Sequence, residues 1–294
     1  MRKSLLMIAV LGAISAPTAV FAAEEAEAAA PTPDWTFPAS FSLVSDYIFR
    51  GQSQTWGKPA AQFSIEADHK SGFYAGFFSS NVSDKWLAGA NLESDLYAGY
   101  RNKFGESDFG YDLGAYYYIY PGADWNQSQF VGSNKSNSLN TLEFYGSVSY
   151  KFISVKAGIT GTEYFGWNKN NSGPVGVGDN TAGLGDFGGN KNAGVTGNTR
   201  GSYFFETNAS YEVFPTWTAS GQLGRQVIND SKGLDITYYK LGVTKAFDGG
   251  WSIGAFYSGT NEPDAYKNFQ SLRSGTGTSD IARDTGFITL GKSF

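Results

Sequence analysis

The sequence predicts an all-β fold, a transmembrane antiparallel up-and-down β-barrel of about twelve strands with periplasmic termini and long extracellular loops. Three observations carry this. Apolar and polar residues alternate with period two in segment after segment, which places the two sets on opposite faces of strands. The connections between those segments alternate between short and long. Aromatic residues reach 16% and charged residues only 17%, yet the mean hydropathy is −0.30. Alternating strands reconcile those figures, because their two faces cancel in a running average.

The first residues read as a targeting signal. Arg2 and Lys3 give the positive start, Ser4–Ile14 the apolar stretch, and Val20-Phe21-Ala22 a small-x-small cleavage site, so residues 1–22 are expected to be a signal peptide. The apolar run is too short to span a bilayer, and Pro17 interrupts it. Its removal takes away two of the 22 Lys and Arg residues, leaving 20 against 27 Asp and Glu. Residues 23–37 are expected to be a flexible periplasmic tail. The Ala/Glu/Pro tract Ala23–Pro33 has little apolar surface to bury, and Pro31 and Pro33 close off a helical plug. The barrel then takes residues 38–294.

Period two begins at Phe41. Phe41, Leu43, Tyr47 and Phe49 alternate with Ser42, Asp46 and Arg50. Ala61, Phe63, Ile65 and Ala67 alternate with Gln62, Ser64, Glu66 and Asp68, before a tight turn at Lys70–Gly72. The same pattern recurs near residues 92–101, 109–119, 142–150, 153–160, 203–213 and 251–258, and more weakly in Phe73–Val82, Thr216–Val227, Ile236–Phe247 and Ala282–Phe294. Short connections fall at Lys70–Gly72, Asn102–Asp108, Lys151–Ile153, Phe214–Pro215 and Asp248–Gly250. Long ones fall at Gly51–Lys58, Ser83–Asn91, Pro121–Asn140, Gly166–Arg200, Ile228–Leu234 and Gly259–Ile281. An even strand count puts both termini at the short-turn, periplasmic end. Aromatics gather near the strand ends as an interfacial girdle: Phe73, Phe109, Phe152, Trp217, Phe247 and Trp251 at the short-turn end, and Tyr47, Phe49, Tyr164 and Tyr203 towards the other. Outer-membrane lipid is therefore an expected partner. The closing strand ends on Phe294, with Ile288 and Leu290 on the same face, which resembles the signal read by the barrel-assembly machinery, although Lys292 departs from it.

Composition excludes several other functions. The absence of cysteine removes disulfides, thiolate nucleophiles and cysteine metal sites. The acidic balance argues against nucleic acid. His69, the only histidine, sits beside the Lys70–Gly72 turn, away from the extracellular rim where membrane hydrolases place theirs, so no enzyme is expected. Gly183, Gly185 and Gly188 match a dinucleotide-binding pattern, but in an Asn/Gly-rich loop rather than between a strand and a helix. No cofactor or metal is expected.

The stretch Ser45–Val82 carries Ser-Asp-Tyr-x-Phe-Arg-Gly, a Gln-Ser segment, Lys-Pro-Ala, a Ser-Gly-Phe-Tyr-Ala-Gly hairpin and a closing Ser-Asn-Val. Echoes follow at Glu93–Tyr100 and in the final Gly-Lys-Ser-Phe. In these motifs the chain resembles the TorF-type porins of proteobacterial outer membranes. The resemblance implies a pore and assigns no residue a role.

The polar faces supply the candidate lining of such a pore: Asp46, Arg50, Glu66, Glu93, Asp95, Arg101, Asp112, Glu143, Lys156, Glu206 and Lys240. Acids outnumber bases among them. The expectation is a narrow outer-membrane channel for passive diffusion of small hydrophilic solutes or ions, with a weak cation preference. The alternative is a closed structural or surface-interaction barrel acting through its extracellular loops. Gly166–Arg200 is read either as folding inward or as staying outside.

Overall fold

The computed structural model describes residues 33–130, 137–171, 193–261 and 263–294. Twelve long strands form the wall: β1 (Ala39–Val44), β2 (Ala60–His69), β3 (Phe73–Asn81), β4 (Leu92–Lys103), β5 (Phe109–Tyr118), β6 (Thr141–Tyr150), β7 (Ile153–Thr160), β8 (Tyr203–Phe214), β9 (Trp217–Val227), β10 (Ile236–Ala246), β11 (Trp251–Thr260) and β12 (Thr285–Ser293). Each pairs antiparallel with its neighbours in sequence. The last strand returns to the first, with Leu290 opposite Leu43 and Lys292 opposite Phe41, so the sheet is a closed barrel. Closure leaves no edge strand, and that is the condition for crossing hydrocarbon with β-structure.

The alternation read from the sequence becomes an outside and an inside. Leu43, Phe63, Leu96, Leu113, Val155, Phe205, Leu223, Leu241, Ile253 and Ile288 face outward and are exposed. Their strand neighbours Ser42, Gln62, Asp95, Ser154, Glu206, Thr244 and Thr289 face inward and are buried. At the short-turn end Phe73, Phe109, Phe152, Trp217, Phe247 and Trp251 are all exposed, as a girdle requires. Lys245 reaches back over Trp217 with its ammonium 4.9 Å from the ring centre, keeping its charge at the interface.

Large inward rings are accommodated by glycines on adjacent strands. Tyr97 lies over Gly76, Tyr238 over Gly224, and Phe256 over Gly242. In each pair a Cβ on the glycine would overlap the ring. The rings therefore lie flat along the wall instead of projecting across the axis.

Two boundaries differ from the sequence reading. Trp35 and Thr36 pair with His69 and Asp68, so ordered sheet begins inside the segment 23–37 read as a tail. More consequentially, β1 ends at Val44 and does not run on to Arg50. Beyond Val44 the alternation breaks, and every residue from Asp46 to Thr55 is buried. Tyr47 and Phe49, expected in the lipid-facing girdle, are 1% and 8% exposed, and Tyr164 is 3% exposed. They belong to a loop core, whereas Tyr203 does face outward as expected. The loop core is built from side chains that period two leaves unassigned: Trp86 packs on Phe269 and Trp167, and Trp125 donates from its indole nitrogen to the Phe165 carbonyl at 2.9 Å.

Replacing Gly242 with Val is expected to destabilise the barrel by about 1–3 kcal/mol through overlap with Phe256. A lowered urea midpoint, followed by the loss of the heat-modifiable band on gels, measures it.

Candidate functional site

The lumen holds the polar half of every strand, and what fills it follows from the loop that leaves β1. Asp46 accepts hydrogen bonds from the Ser53 and Thr55 hydroxyls at 2.6 and 2.9 Å, and the Thr55 hydroxyl also accepts from the Tyr47 amide at 3.1 Å. Burial pushes the Asp46 carboxyl above its ordinary range, and those two hydroxyls pull it back down. This bracing holds a small hairpin, Ile48–Phe49 against Gln52–Ser53. Its two-residue turn is Arg50 at φ 46° and Gly51 at φ 79°. Positive φ at both centres gives the backbone twist that tight hairpins favour, and it costs glycine little but arginine about 1 kcal/mol.

The hairpin tip crosses the barrel. One Arg50 nitrogen donates to the Gln226 side-chain oxygen at 2.6 Å, and the other to both Glu143 oxygens at 2.8 and 3.0 Å. The guanidinium lies 3.8 Å from the centre of the Phe204 ring. These partners stand on β6, β9 and β8. In a ring of twelve strands β7 is six places from β1 in either direction, so the tip docks on the far wall. Gly51 fits there because a Cβ would press on Thr260 and on Tyr238 at 2.9 Å. Arg50 and Glu143 are 8% and 3% exposed, so their ion pair is desolvated. Removing one partner of such a pair strands a buried charge.

The structure places the other candidate residues inward as well. Arg101 pairs with both Glu66 and Asp68. Asp112 accepts from the Tyr74 hydroxyl at 2.6 Å. The Lys156 ammonium sits 3.8 Å from the Tyr145 ring centre, and Lys156 lies opposite Glu206 in register. Glu206 accepts from Tyr238 at 2.9 Å and from Gln222 at 3.3 Å. Lys240 is opposite Gln222. Glu93 and Asp95 share a face of β4, and Glu93 accepts from the Tyr47 hydroxyl at 3.3 Å. Among the described residues neither forms an ion pair. All eleven candidates thus lie inside the barrel, but Asp46 and Arg50 arrive there on the loop, not on a strand. These two residues do not pair with each other. Asp46 braces the hairpin base while Arg50 anchors its tip.

Sequence reasoning missed Gln226, Phe204 and Tyr238 as partners of the hairpin, because each is an ordinary inward residue of its own strand. The hairpin itself had a local signal in Arg50-Gly51, a two-residue turn between short β-forming pairs. Toward the short-turn end, solvent reaches the inward Ser147, Ser149, Asn208, Ser210, Thr218, Ser220 and Gln222, all half-buried. Above them Tyr145, Lys156, Phe204, Glu206 and Tyr238 are buried beneath the docked hairpin. His69 lies at the short-turn end, beside Trp35 and bonded to the Ser71 hydroxyl. The glycine pattern at 183–188 and most of Gly166–Arg200 fall outside the described residues, as do the signal peptide and the first part of the tail. The ends of that long loop are anchored, with Ala193 and Val195 fully buried.

A family model described as "Bacterial protein of unknown function (Gcw_chp)" matches residues 25–294. No match was found among curated proteins. Among solved structures, the chain is similar to the KdgM porin at 10% identity, covering 87% of this chain and 98% of that one, with a TM-score of 0.45. It is similar to the NanC porin in a rhombohedral crystal form at 9% identity, covering 88% and 99%, with a TM-score of 0.48. For the outer membrane protein opdK from Pseudomonas aeruginosa the identity is 11%, the coverage 81% and 58%, and the TM-score 0.36.

Arg50→Ala is expected to weaken hairpin docking by roughly 3–5 kcal/mol, because Glu143 is left buried and unpaired. Faster amide hydrogen exchange across residues 46–58, with the barrel strands still protected, is the observation that checks it. Glu143→Gln in the same background should restore part of the protection.

Proposed function

The chain belongs to the Gcw_chp family of bacterial proteins of unknown function, and on that footing we propose that it is a porin-like channel of the bacterial outer membrane. Small hydrophilic solutes or ions diffuse through it passively, with a weak cation preference. The TorF-type likeness of Ser45–Val82 points to the same class. The observation that carries the reading is the hairpin. It lies across a polar lumen and is held to the far wall by side-chain contacts of Arg50, not by a strand ladder. Its tip meets the far wall through the Arg50–Glu143 ion pair, the Gln226 amide and the Phe204 ring, and no backbone ladder joins it to those strands.

Flat-lying rings support the reading too, since they leave the axis to polar groups. Acids outnumber bases among the inward candidates, which is the ground for the cation preference. The apolar outer belt suits outer-membrane lipid, and short turns at the end that carries both termini suit a periplasmic placement. Export would rely on residues 1–22, and insertion on recognition of the last strand, ending at Phe294, by the barrel-assembly machinery. No step of chemistry is assigned to the chain.

One observation favours a second reading, a closed barrel acting through its loops. The cap of Trp86, Trp125, Trp167, Tyr266, Phe269 and Leu272 is as buried as a protein core. Planar-bilayer recordings separate the two. The intact protein is expected to open rarely and with small conductance, and replacing residues 46–58 by a short turn to raise the open conductance several-fold. In a potassium chloride gradient the reversal potential should lie on the cation side. A folded, hairpin-deleted protein that carries no current would leave the closed-barrel reading standing.

A further inference from the structure

Two carboxyls are buried side by side at the loop end of the barrel. Glu93 and Asp95 stand two residues apart on β4, so both point inward, and they are 2% and 1% exposed. The groups around them are aromatic or neutral. Phe78 and Ser80 lie opposite them on β3. Tyr116, Tyr118 and Tyr120 approach from β5 and the loop after it, and Tyr47 from the root of the hairpin. Among the described residues neither acid forms an ion pair. Arg101, a base on the same face of β4, is taken by Glu66 and Asp68, and Arg50 by Glu143. Glu93 accepts from the Tyr47 hydroxyl at 3.3 Å through one oxygen. Its other oxygen, Oε2, is buried and has no hydrogen-bond partner among the described residues.

A buried acceptor without a donor is costly, and two adjacent buried carboxylates without a cation are costlier. One particle removes both costs. The Asp95 carboxyl lies within hydrogen-bonding reach of Glu93, and a carboxyl donates only when it carries a proton. We propose that Glu93 and Asp95 hold one proton between them, and that this proton makes the seating of the hairpin root sensitive to pH. With the proton in place the pair carries a single charge, and Tyr47 keeps its acceptor. Once it leaves, two like charges face each other in a dry site, and water entering past Tyr47 relieves them. Carboxyls that water reaches ionise in their ordinary range, so near neutral pH the seated state binds one proton more than the parted one. Seating is therefore strongest on the acid side and weakens as pH rises. Asp46, at the foot of the hairpin, acts in the same sense: burial pushes its carboxyl up, with Arg283 and Asp280 facing it. The inference rests on the reading of the hairpin as the element that closes a channel.

The test reads the infrared carbonyl stretch of protonated carboxyls in the full chain in detergent. The parent is expected to show this band at neutral pH and to lose part of it on mild alkalinisation. Glu93→Gln keeps an oxygen for Tyr47 and presents an N–H to Asp95, so it copies the protonated pair. Asp95→Asn does the same from the other side. Each should remove that part of the band, whereas Asp46→Asn should leave it. In planar bilayers the open probability of the parent should rise several-fold from mildly acidic to mildly alkaline pH, and Glu93→Gln should show less than half of that rise. Should Glu93→Gln not fold, Asp95→Asn carries both measurements. A parent without the band at neutral pH, a band unchanged in both pair variants, or a folded Glu93→Gln protein whose open probability rises as the parent's does would each overturn the proposal. The channel reading fails separately. The expected band pattern in a protein that carries no current after hairpin deletion keeps the shared proton and sinks the channel. A hairpin-deleted barrel that conducts, in a protein whose parent lacks the band, sinks the shared proton alone.

Discussion

The pairing of β12 with β1 is the constraint on which the rest of the structure depends. Without it, two strands would present rows of unpaired N–H and C=O groups, each costing several kcal/mol in hydrocarbon. With it, a sheet of twelve strands has no edge, and every position acquires a fixed side. Outward positions meet an apolar medium and inward ones meet each other. A one-residue slip at Leu290 and Leu43 would reverse that for a whole strand, and so the register is strongly specified.

Closure has a second consequence, inside. A narrow tube brings inward charges close together with little water to screen them, and they must be satisfied locally. Arg101 gathers Glu66 and Asp68, Glu206 collects the Tyr238 and Gln222 donors, and Asp112 takes the Tyr74 hydroxyl. Rings that would otherwise block the tube lie against it over Gly76, Gly224 and Gly242. One element inside the barrel is not part of its wall. It is the Ile48–Ser53 hairpin, pinned by a cation that finds its anion on the opposite side. Structure and proposed function meet at this contact, since Arg50 is what ties the hairpin tip to the far wall.

The legibility of the lumen differed from residue to residue. Glu66, Glu93, Asp95, Arg101, Asp112, Glu143, Lys156, Glu206 and Lys240 sit on strands whose period-two pattern is unbroken, and each faces inward as that pattern requires. Asp46 and Arg50 were placed inside by extending the same pattern past its end. Their location came out inward, but for a different reason, since the chain had already left the wall at Val44. Tyr47 and Phe49 show the cost of that extension. Read as lipid-facing, they are instead buried by the hairpin and the loops above it. Loop aromatics such as Trp86 and Trp167 have no periodic partner, so nothing local pairs them.

By itself, the sequence determined the strand count, the alternation of turns and loops, and the face on which each strand residue lies. Those features follow from period two, a rule that acts between neighbours along one chain. Only the tertiary structure decided that Arg50 meets Glu143, 93 residues away, that Gln52 is left facing a void, and that the loops roof the barrel. These are encounters across the ring, and they exist only once the last strand has closed on the first.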